Sequence, residues 1–379
     1  MNKKLIIIAG EASGDLHGAA LIKELLILDS SIKIFGIGGN RMIKEGMNAI
    51  YNINDMAFLG FTEVIKHIPF IKKVKKGLIN LADKEEIKTA VLIDYPGFNL
   101  SIAKSFNKKG IKNIYYISPQ IWAWGKKRIK KIKKIITKMI VFFPFEKTMY
   151  KENKIDVDFV GHPLVGKISN YNFISKNELY KKYNLIKEKD LLVLLPGSRK
   201  QELEKIFPAT IEAAAKLSEE LNLQTIVACA DNVDEGYFKT FINKYNFKIV
   251  KGDTYNLLKN AKFAIVKSGT STLEAGIIGT PFIVVYATSY LTYKISKKLI
   301  KIKNIALANI VAGKTIVEEL IQDEVNPQTI YKRSKKIISN NEKYNLLKNE
   351  LNGIKNKLET EGNPSKKAAE IIYAELQKA

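Results

Sequence analysis

The sequence is poor in cysteine, histidine and tryptophan. Its 379 residues include one cysteine, three histidines and two tryptophans. A single cysteine cannot form an intrachain disulfide, and Cys229 lies in an apolar run, so we expect a buried thiol in a reducing compartment. The chain has no HExxH motif, no paired CxxC motif and no cluster of histidines and cysteines. We therefore expect no metal site and no bound cofactor.

Long hydrophobic runs are also missing. The longest apolar stretch, residues 135–145, contains Thr137, Lys138 and Pro144, whereas a membrane-spanning helix needs about 20 apolar residues in succession. The apolar run at residues 5–9 is too short for the core of a secretory signal, and we predict that it is a buried first strand. We therefore expect a protein that is soluble or associated with a membrane surface.

Acidic residues are outnumbered by basic ones. The chain has 62 lysines and arginines against 38 aspartates and glutamates, which gives a formal net charge of +24. This charge indicates an anionic partner, which could be a nucleic acid, an acidic membrane surface or a phosphorylated substrate. RNP-like aromatic pairs, KH loops and zinc knuckles are absent, so we do not expect nucleic-acid binding. Glycine and proline are not in excess, which excludes disordered and collagen-like chains.

The apolar runs that are present predict an α/β protein with two Rossmann-like parallel sheets in tandem. Strands are predicted at residues 5–9, 32–37, 90–93, 113–117, 139–143 and 158–160, and again at 191–195, 224–228, 247–250, 263–266 and 282–285. Helices are predicted between them, including one at residues 62–82 that Pro69 interrupts.

The predicted domains cover residues 1–166 and 190–325, with a polar linker at 167–189 between them. Residues 326–379 are predicted to form a charged helical tail. This tail would pack either on the first domain or on a partner subunit. In the second case the protein would be a homodimer.

One strand–turn–helix–strand unit, residues 264–286, has the pattern of an anion site. Its first strand runs into a Ser-Gly-Thr turn at residues 268–270, and a helix begins at once. A turn of this kind exposes backbone N–H groups at a helix N-terminus, where an anion can bind. Glu274 follows one helical turn later, near the place of a ligand's sugar hydroxyls. Alternatively, Ser271 and Glu274 form a capping box with only a local role.

A second turn of the same kind lies at residues 191–204. A fully apolar strand ends at a Pro-Gly pair, and Ser198 and Arg199 lead into a polar helical stretch. The arginine guanidinium is the side chain best shaped for bidentate contact with phosphate. Two such turns in one half of the chain predict a nucleotide diphosphate at the carboxyl edge of the second sheet.

A basic and aromatic cluster occupies the middle of the first half. Both tryptophans, Trp122 and Trp124, precede a lysine-rich stretch that begins with Lys126, Lys127 and Arg128. Isoleucines recur near helical spacing in this stretch, which is typical of an interfacial membrane helix. An ordinary surface helix with its isoleucines on the sheet fits the pattern equally well. A second hydrophobic and basic segment, residues 56–74, includes Phe58 and Phe61. Its composition fits either acyl-chain binding or packing against the rest of the domain.

Several motifs, taken together, resemble those of lipid-A-disaccharide synthase. They are GEASGDLHGA (residues 10–19), GIGGNRM (36–42), IDYPGFNL (93–100), YISPQIWAW (116–124), FFPFEKTMY (142–150), VGHPL (160–164), LLPGSR (194–199), SGTSTLE (268–274) and NIVAGKTIVEELIQ (309–322). They follow one another along nearly the whole chain, so we identify the chain as a member of this family.

The resemblance implies a two-domain nucleotide-sugar glycosyltransferase of the GT-B type. The implied reaction transfers diacylglucosamine from UDP-diacylglucosamine to diacylglucosamine 1-phosphate, inverts the sugar's configuration, needs no metal and releases UDP. Both substrates are anionic lipids, so the resemblance also implies a cytoplasmic protein at the inner membrane surface. The alternative is another GT-B enzyme that uses UDP-sugars, such as an epimerase or the peptidoglycan glucosaminyltransferase.

The resemblance also suggests site residues. A sugar hydroxyl must lose a proton as it attacks, and Asp94, at the end of a predicted strand, is our candidate base, with Asp15 as the second candidate. Asp15 could equally cap a helix. The family pattern has a second aspartate where this chain has Gly97, which favours Asp94. The expected UDP-binding residues are Gly197, Ser198, Arg199, Ser268, Gly269, Thr270, Glu274 and Asn309.

Overall fold

The computed structural model describes residues 3–56, 67–123, 125, 128–299 and 302–378. The chain divides into two compact units. The first unit comprises residues 1–163 and 360–379, and the second comprises residues 164–359.

The first unit is built on a parallel sheet with strand order β3-β2-β1-β4-β5-β6-β7. Its strands are β1 (Lys4–Ala9), β2 (Lys33–Gly38), β3 (Asn48–Asn52), β4 (Thr89–Ile93), β5 (Lys112–Tyr116), β6 (Lys138–Val141) and β7 (Val157–Phe159). Its helices include α1 (Ala12–Leu28), α2 (Asn40–Lys44), α3 (Ile68–Lys84), α4 (Pro96–Lys108), α5 (Ile129–Ile135) and α6 (Pro144–Glu152). A 3-10 turn (Ile53–Met56) follows β3.

Both faces of this sheet are buried, because the strands are apolar at successive positions. Ile6 and Ile8 of β1 belong to the core on one face, and Leu5 and Ile7 belong to the core on the other. The helix Pro364–Gln377, at the far end of the chain, contributes to the second of these cores and packs against α1. Burial on both faces is the usual state of a parallel sheet with helical crossovers.

The second unit has its own parallel sheet, with strand order β10-β9-β8-β11-β12-β13. Its strands are β8 (Asp190–Leu195), β9 (Leu223–Cys229), β10 (Lys248–Lys251), β11 (Ala261–Lys267), β12 (Phe282–Tyr286) and β13 (Glu319–Ile321). The helices that follow β7 are α7 (Pro163–Ser169), α8 (Lys176–Lys182), α9 (Lys200–Glu220), α10 (Gly236–Lys239), α11 (Thr254–Asn260), α12 (Thr270–Ile278), α13 (Tyr290–Leu299), α14 (Leu307–Ala312), α15 (Pro327–Ile338), α16 (Asn341–Leu358) and α17 (Pro364–Gln377), the last of which belongs to the first unit.

The predicted α/β class with two parallel sheets is confirmed, and every predicted strand is present to within a few residues. Two strands were missed, β3 and β13, which lie at the edges of the two sheets. Their short sequences, NAIYN and ELI, contain polar residues and so give no apolar run. Cys229 is buried, as expected.

The predicted linker at residues 167–189 is wrong. This stretch contains α8, and its Leu179, Tyr180 and Leu185 are buried in the core of the second unit. Charged and polar residues dominate this stretch, so its few apolar residues did not form a recognisable pattern in the sequence. The helix predicted at residues 62–82 is described from Ile68, where α3 begins with Pro69 in its first turn, a place where a proline is well tolerated. Residues 62–66, which precede Pro69 in that predicted helix, lie outside the described residues, so the interruption at Pro69 stays a prediction.

Within the described ranges, no helix has the length and apolar character needed to cross a bilayer.

Candidate functional site

The two predicted anion-binding turns lie side by side in the second unit. Strands β8 and β11 are paired in parallel, with Leu195 opposite Val266, so their carboxyl ends lie next to each other. The turns that follow line one cavity of about 640 Å³. The structure therefore brings together seven of the eight residues predicted to bind UDP: Gly197, Ser198, Arg199, Ser268, Gly269, Thr270 and Glu274.

Each turn depends on a glycine. Gly197 has φ +117° and Gly269 has φ +150° with ψ −160°, a backbone region that is accessible almost only to glycine. These turns lead directly into α9 and α12, whose N-cap residues, Arg199 and Gly269, provide no side-chain cap. The first backbone N–H groups of both helices therefore retain donor capacity for an anion at this edge of the sheet.

Two cations stand beside the turns, held by one carboxylate. The Nζ of Lys267 lies 2.8 Å from Oε1 of Glu202, and Nη1 of Arg199 lies 3.6 Å from the same oxygen. The Arg199 side chain is 81% exposed, so it can turn towards a ligand. All three residues line the cavity. Lys267 and Glu202 were not among the predicted site residues, although each lies within three residues of one of the two predicted anion-binding turns.

Glu274 does not close a capping box. The helix begins at Thr270, one residue before Ser271, and Oε1 of Glu274 instead accepts a 2.8 Å hydrogen bond from the hydroxyl of Tyr255. Burial, and then the Glu274 carboxylate itself, raises the pKa of Tyr255, so this hydroxyl remains a donor. A carboxylate has acceptor sites for more than one donor, which leaves Glu274 with capacity for ligand hydroxyls in the cavity.

Asn309 is not among the residues that line the cavity, and its predicted nucleotide contact is not supported. Its side chain is fully buried and bonded within the protein. Nδ2 donates to Oε1 of Glu319 and to the carbonyl oxygen of Val317, while Oδ1 accepts from the backbone N–H groups of Ile316 and Val317. Asn309 therefore ties α14 to the chain that leads into β13.

In the first unit, Asp94 lies at the carboxyl end of β4, in a strained turn. Both Asp94 and Tyr95 have φ +45°, which non-glycine residues seldom adopt. The turn is held by hydrogen bonds to the backbone oxygen of Asp94, at 2.6 Å from the hydroxyl of Tyr115 and at 2.8 Å from Nδ2 of Asn99. Burial, and then the nearby charge of Glu11, raises the pKa of the Asp94 carboxyl to about 6.

Asp15, the second candidate base, has a structural role. Its Oδ1 accepts from the backbone N–H groups of Gly39 at 2.8 Å and Met42 at 3.1 Å, and its Oδ2 accepts from Arg41 at 3.3 Å. The carboxylate is buried and caps the N-terminus of α2, not that of its own helix. These bonds engage both oxygens of the carboxylate within the protein, which argues against Asp15 as the base.

Trp122 is buried, which corrects its prediction as a membrane-facing residue. Only 9% of it is exposed, and its Nε1 donates a 3.2 Å hydrogen bond to Oε1 of Glu146. Burial raises the pKa of Glu146 to about 8, so the carboxyl is mostly protonated at neutral pH. Glu146 also interacts electrostatically with Asp94. Glu146 lies in the motif at residues 142–150, which by itself predicts no role for this residue.

The other predicted membrane residues are only partly described. Trp124, Lys126, Lys127, Phe58 and Phe61 lie outside the described residues. Arg128 is half-buried at the start of α5. On this helix Ile132 and Ile135 are buried in the core, and the lysines are exposed, so the apolar face packs on the sheet.

Residues 5–375 match the family model described as lipid-A-disaccharide synthetase. The chain is 38% identical over 384 residues to the lipid-A-disaccharide synthase of Syntrophus aciditrophicus, with 100% of each chain covered. It is 35% identical over 373 residues to that of Coxiella burnetii, with 98% of each chain covered.

Two solved structures share the fold at low sequence identity. One is CalG4, the calicheamicin glycosyltransferase, with a TM-score of 0.63 and 12% identity over 99% of this chain and 98% of that one. The other is the UDP-GlcNAc 2-epimerase of Neisseria meningitidis bound to UDP-GlcNAc, with a TM-score of 0.59 and 13% identity over 99% of this chain and 100% of that one. Both likenesses concern the fold alone, which is the GT-B architecture.

The family model and the full-length relatives span both units and all the motifs described above. The chain therefore belongs to the lipid-A-disaccharide synthase family, whose members are glycosyltransferases of lipid A biosynthesis.

Proposed function

We propose that this enzyme transfers diacylglucosamine from UDP-diacylglucosamine to diacylglucosamine 1-phosphate, forms a β-linked disaccharide and releases UDP. One observation carries the nucleotide part of the proposal. Two turns that each lead into an uncapped helix N-terminus line a single cavity together with an arginine, a lysine and a carboxylate. This set of groups suits a nucleoside diphosphate.

The pyrophosphate would bind at the turns. Its charge would be balanced by the N-termini of α9 and α12 and by Arg199 and Lys267, which provide fixed positive ends and cations without a divalent metal. The volume of about 640 Å³ lies within the range of roughly 300–1000 Å³ that is usual for small-molecule sites. Glu274, held by Tyr255, would accept from the ribose hydroxyls.

Asp94 would be the general base. The acceptor's hydroxyl oxygen would attack the anomeric carbon of the donor sugar while the bond from that carbon to the UDP oxygen breaks, and the hydroxyl proton would pass to the Asp94 carboxylate. Displacement in one step inverts the anomeric configuration. A pKa of about 6 leaves Asp94 mostly ionised at pH 7 but more basic than an exposed aspartate, which suits it to take a proton.

We also propose that the protein binds the cytosolic face of the inner membrane, because both lipid substrates reside in a bilayer. The four lysines exposed on α5 support this placement: Lys130, Lys131, Lys133 and Lys134. Each lysine near an anionic membrane surface contributes about 1 kcal/mol of attraction. The apolar face of α5 packs on the sheet, so the proposed attraction is mainly electrostatic.

The decisive experiment is an assay of UDP release with purified protein, UDP-diacylglucosamine and diacylglucosamine 1-phosphate. We expect UDP and a tetraacyl disaccharide phosphate in equal amounts, with a β linkage by NMR, and the same rate in excess EDTA. UDP-GlcNAc alone should give no epimer. Formation of an epimer, or failure to release UDP with both lipids present, would contradict the proposed reaction, and loss of activity in EDTA would contradict the metal-free mechanism.

A further inference from the structure

The first unit contains a second cavity, which differs in character from the nucleotide cavity. Its volume is about 390 Å³. Among the residues that the structure describes, its lining comprises Ile121, Trp122, Ile129, Phe145, Met149, Glu152 and Asn153. Five of these seven side chains are apolar, and the two polar ones are adjacent at the end of α6. An apolar cavity of this size in a folded domain has the character of a binding site for a hydrophobic ligand group.

The aromatic wall of this cavity is held in place. The rings of Trp122 and Phe145 meet edge to face, with centroids 5.3 Å apart, and Phe145 stacks on Phe143 at the same distance. The indole N–H of Trp122 is bonded to the buried Glu146. The polar atom of Trp122 is thus bonded to a residue that is not among those lining the cavity, and Trp122 contributes an aromatic ring to the wall. The wall is therefore preformed, which reduces the entropy that binding would cost.

Positive charge lies beside this apolar space. Ile129, the first residue of α5, lines the cavity, and the rest of this helix carries four exposed lysines, residues 130, 131, 133 and 134. Among the residues that the structure describes, none of these four forms an ion pair. An apolar cavity next to exposed cations matches a molecule with a hydrocarbon chain and an anionic head group.

The cavity is also linked to the candidate base. Glu146 bonds to Trp122, and the charge of Asp94 contributes to the raised pKa of Glu146. A ligand chain that packs on one side of Trp122 therefore lies in the same part of the first unit as the carboxyl that would act on the acceptor. The nucleotide cavity, by contrast, lies wholly in the second unit.

We propose that this cavity binds one acyl chain of the lipid acceptor and thereby contributes to the choice of acceptor chain length. This inference rests on the proposed function, since it assigns a binding place to a substrate of that reaction. The chemical class of the ligand is a saturated hydrocarbon chain attached to a phosphorylated sugar.

The first test measures contact between the chain and Trp122. The variant Trp124→Phe leaves Trp122 as the only tryptophan of the chain. Its fluorescence should be quenched by at least about half by diacylglucosamine 1-phosphate with bromine atoms in an acyl chain, and the unbrominated lipid should compete. Brominated phosphatidylglycerol vesicles, at equal bromine concentration, should quench much less. Equal quenching by the vesicles, or none by the brominated acceptor, would overturn the assignment.

The second test fills the cavity. In Met149→Trp a larger side chain takes up space that the acyl chain would occupy. We expect KM for the long-chain acceptor to rise by about tenfold or more, whereas turnover of an acceptor with short acyl chains should change less than about twofold. The control is Thr148→Trp, the neighbouring residue on α6, which is exposed and does not line the cavity. The same chain-length dependence in both variants would overturn the proposal.

These outcomes separate the inference from the function on which it rests. If the unsubstituted enzyme releases no UDP with either acceptor, the proposed reaction fails. If it is active and Met149→Trp behaves like Thr148→Trp, only the acyl-chain site fails. If Met149→Trp does not fold, as judged by circular dichroism, the quenching experiment with Trp124→Phe still decides.

Discussion

The hydroxyl of Tyr255, on α11, donates a 2.8 Å hydrogen bond to the carboxylate of Glu274, on α12. The bond fixes Glu274 at the cavity that we assign to UDP. We predict that Glu274→Ala removes the preference of the protein for UDP over 2′-deoxy-UDP, because the ribose hydroxyl would lose its acceptor. Isothermal titration calorimetry with both nucleotides measures this preference. A variant that keeps the preference would show that Glu274 does not contact the ribose.

Removal of the Tyr255 hydroxyl, which supports Glu274, should weaken UDP binding less than the loss of Glu274 itself. In Tyr255→Phe one hydrogen bond is lost, which is worth about 1 kcal/mol, so we expect the Kd for UDP to rise by roughly fivefold. Tyr245→Phe is the matched control, since its hydroxyl also contacts a glutamate, Glu212, but at 3.4 Å on an exposed surface. Equal effects in the two variants would contradict a positioning role for Tyr255.

Asp94→Asn should abolish most of the transfer reaction. Asparagine is chosen because it has the same shape and tolerates the positive φ of this turn. We expect kcat to fall by about 100-fold or more, since general base catalysis contributes at least this much, while UDP binding stays unchanged. A kcat within about tenfold of that of the unsubstituted enzyme would remove Asp94 from the role of base.

The pH dependence follows from the pKa of about 6 for Asp94. The base must be ionised, so kcat should be constant above pH 7 and should fall about tenfold per pH unit below pH 6. The profile is measured with saturating substrates. If the rate instead began to fall near pH 4, an ordinary exposed carboxyl would be the base, and the assignment to this buried site would be wrong.

Arg199→Ala should weaken UDP binding and slow transfer by at least about tenfold, a loss of roughly 1.4 kcal/mol. Arg199→Lys should recover only part of the loss, because lysine cannot make a bidentate phosphate contact. The control is Arg333→Ala, which removes an arginine that pairs with Glu318 away from the cavity. Rates that are the same in the two alanine variants would count against a phosphate contact by Arg199.

Asp15→Ala should lower stability more than it changes chemistry. It leaves three backbone N–H groups at α2 without their acceptor, and unsatisfied buried groups cost about 1–3 kcal/mol each. Thermal unfolding should therefore begin several degrees lower than in Asp83→Ala, which removes only an exposed ion pair with Lys109. If Asp15→Ala kept its unfolding temperature but lost all turnover, Asp15 would return as the candidate base.

Charge on α5 should control membrane attachment. Replacing Lys130, Lys131, Lys133 and Lys134 with glutamine should reduce co-sedimentation with anionic vesicles by at least about tenfold at moderate salt. The matched control changes the same charge elsewhere, at Lys332, Lys336, Lys343 and Lys348, which are exposed on α15 and α16. Equal loss in both quadruple variants would mean that net charge alone, and not this helix, drives binding.

Much of the fold was predictable because its signals are local. A buried parallel strand is a continuous apolar run, as in β8 and β11, and a glycine turn before a helix can be recognised from a few adjacent residues. The placement of Arg199 and Gly269 at the same edge of the sheet followed from the parallel pattern, whereas the pairing of β8 with β11, which are not successive strands, is a finding of the structure. For the same reason the edge strands β3 and β13, which are short and partly polar, gave no signal.

The sequence by itself determined the buried apolar strands, the two glycine turns and the family to which the chain belongs. Only the tertiary structure decided which hydrogen-bond partners the polar side chains have. Asp15 bonds to backbone N–H groups at α2, Asn309 bonds to the chain before β13, and Trp122 bonds to Glu146. These partners lie 7 to 27 residues away along the chain. A polar side chain takes whatever donor or acceptor the folded chain brings within about 3 Å, and sequence spacing does not encode that distance.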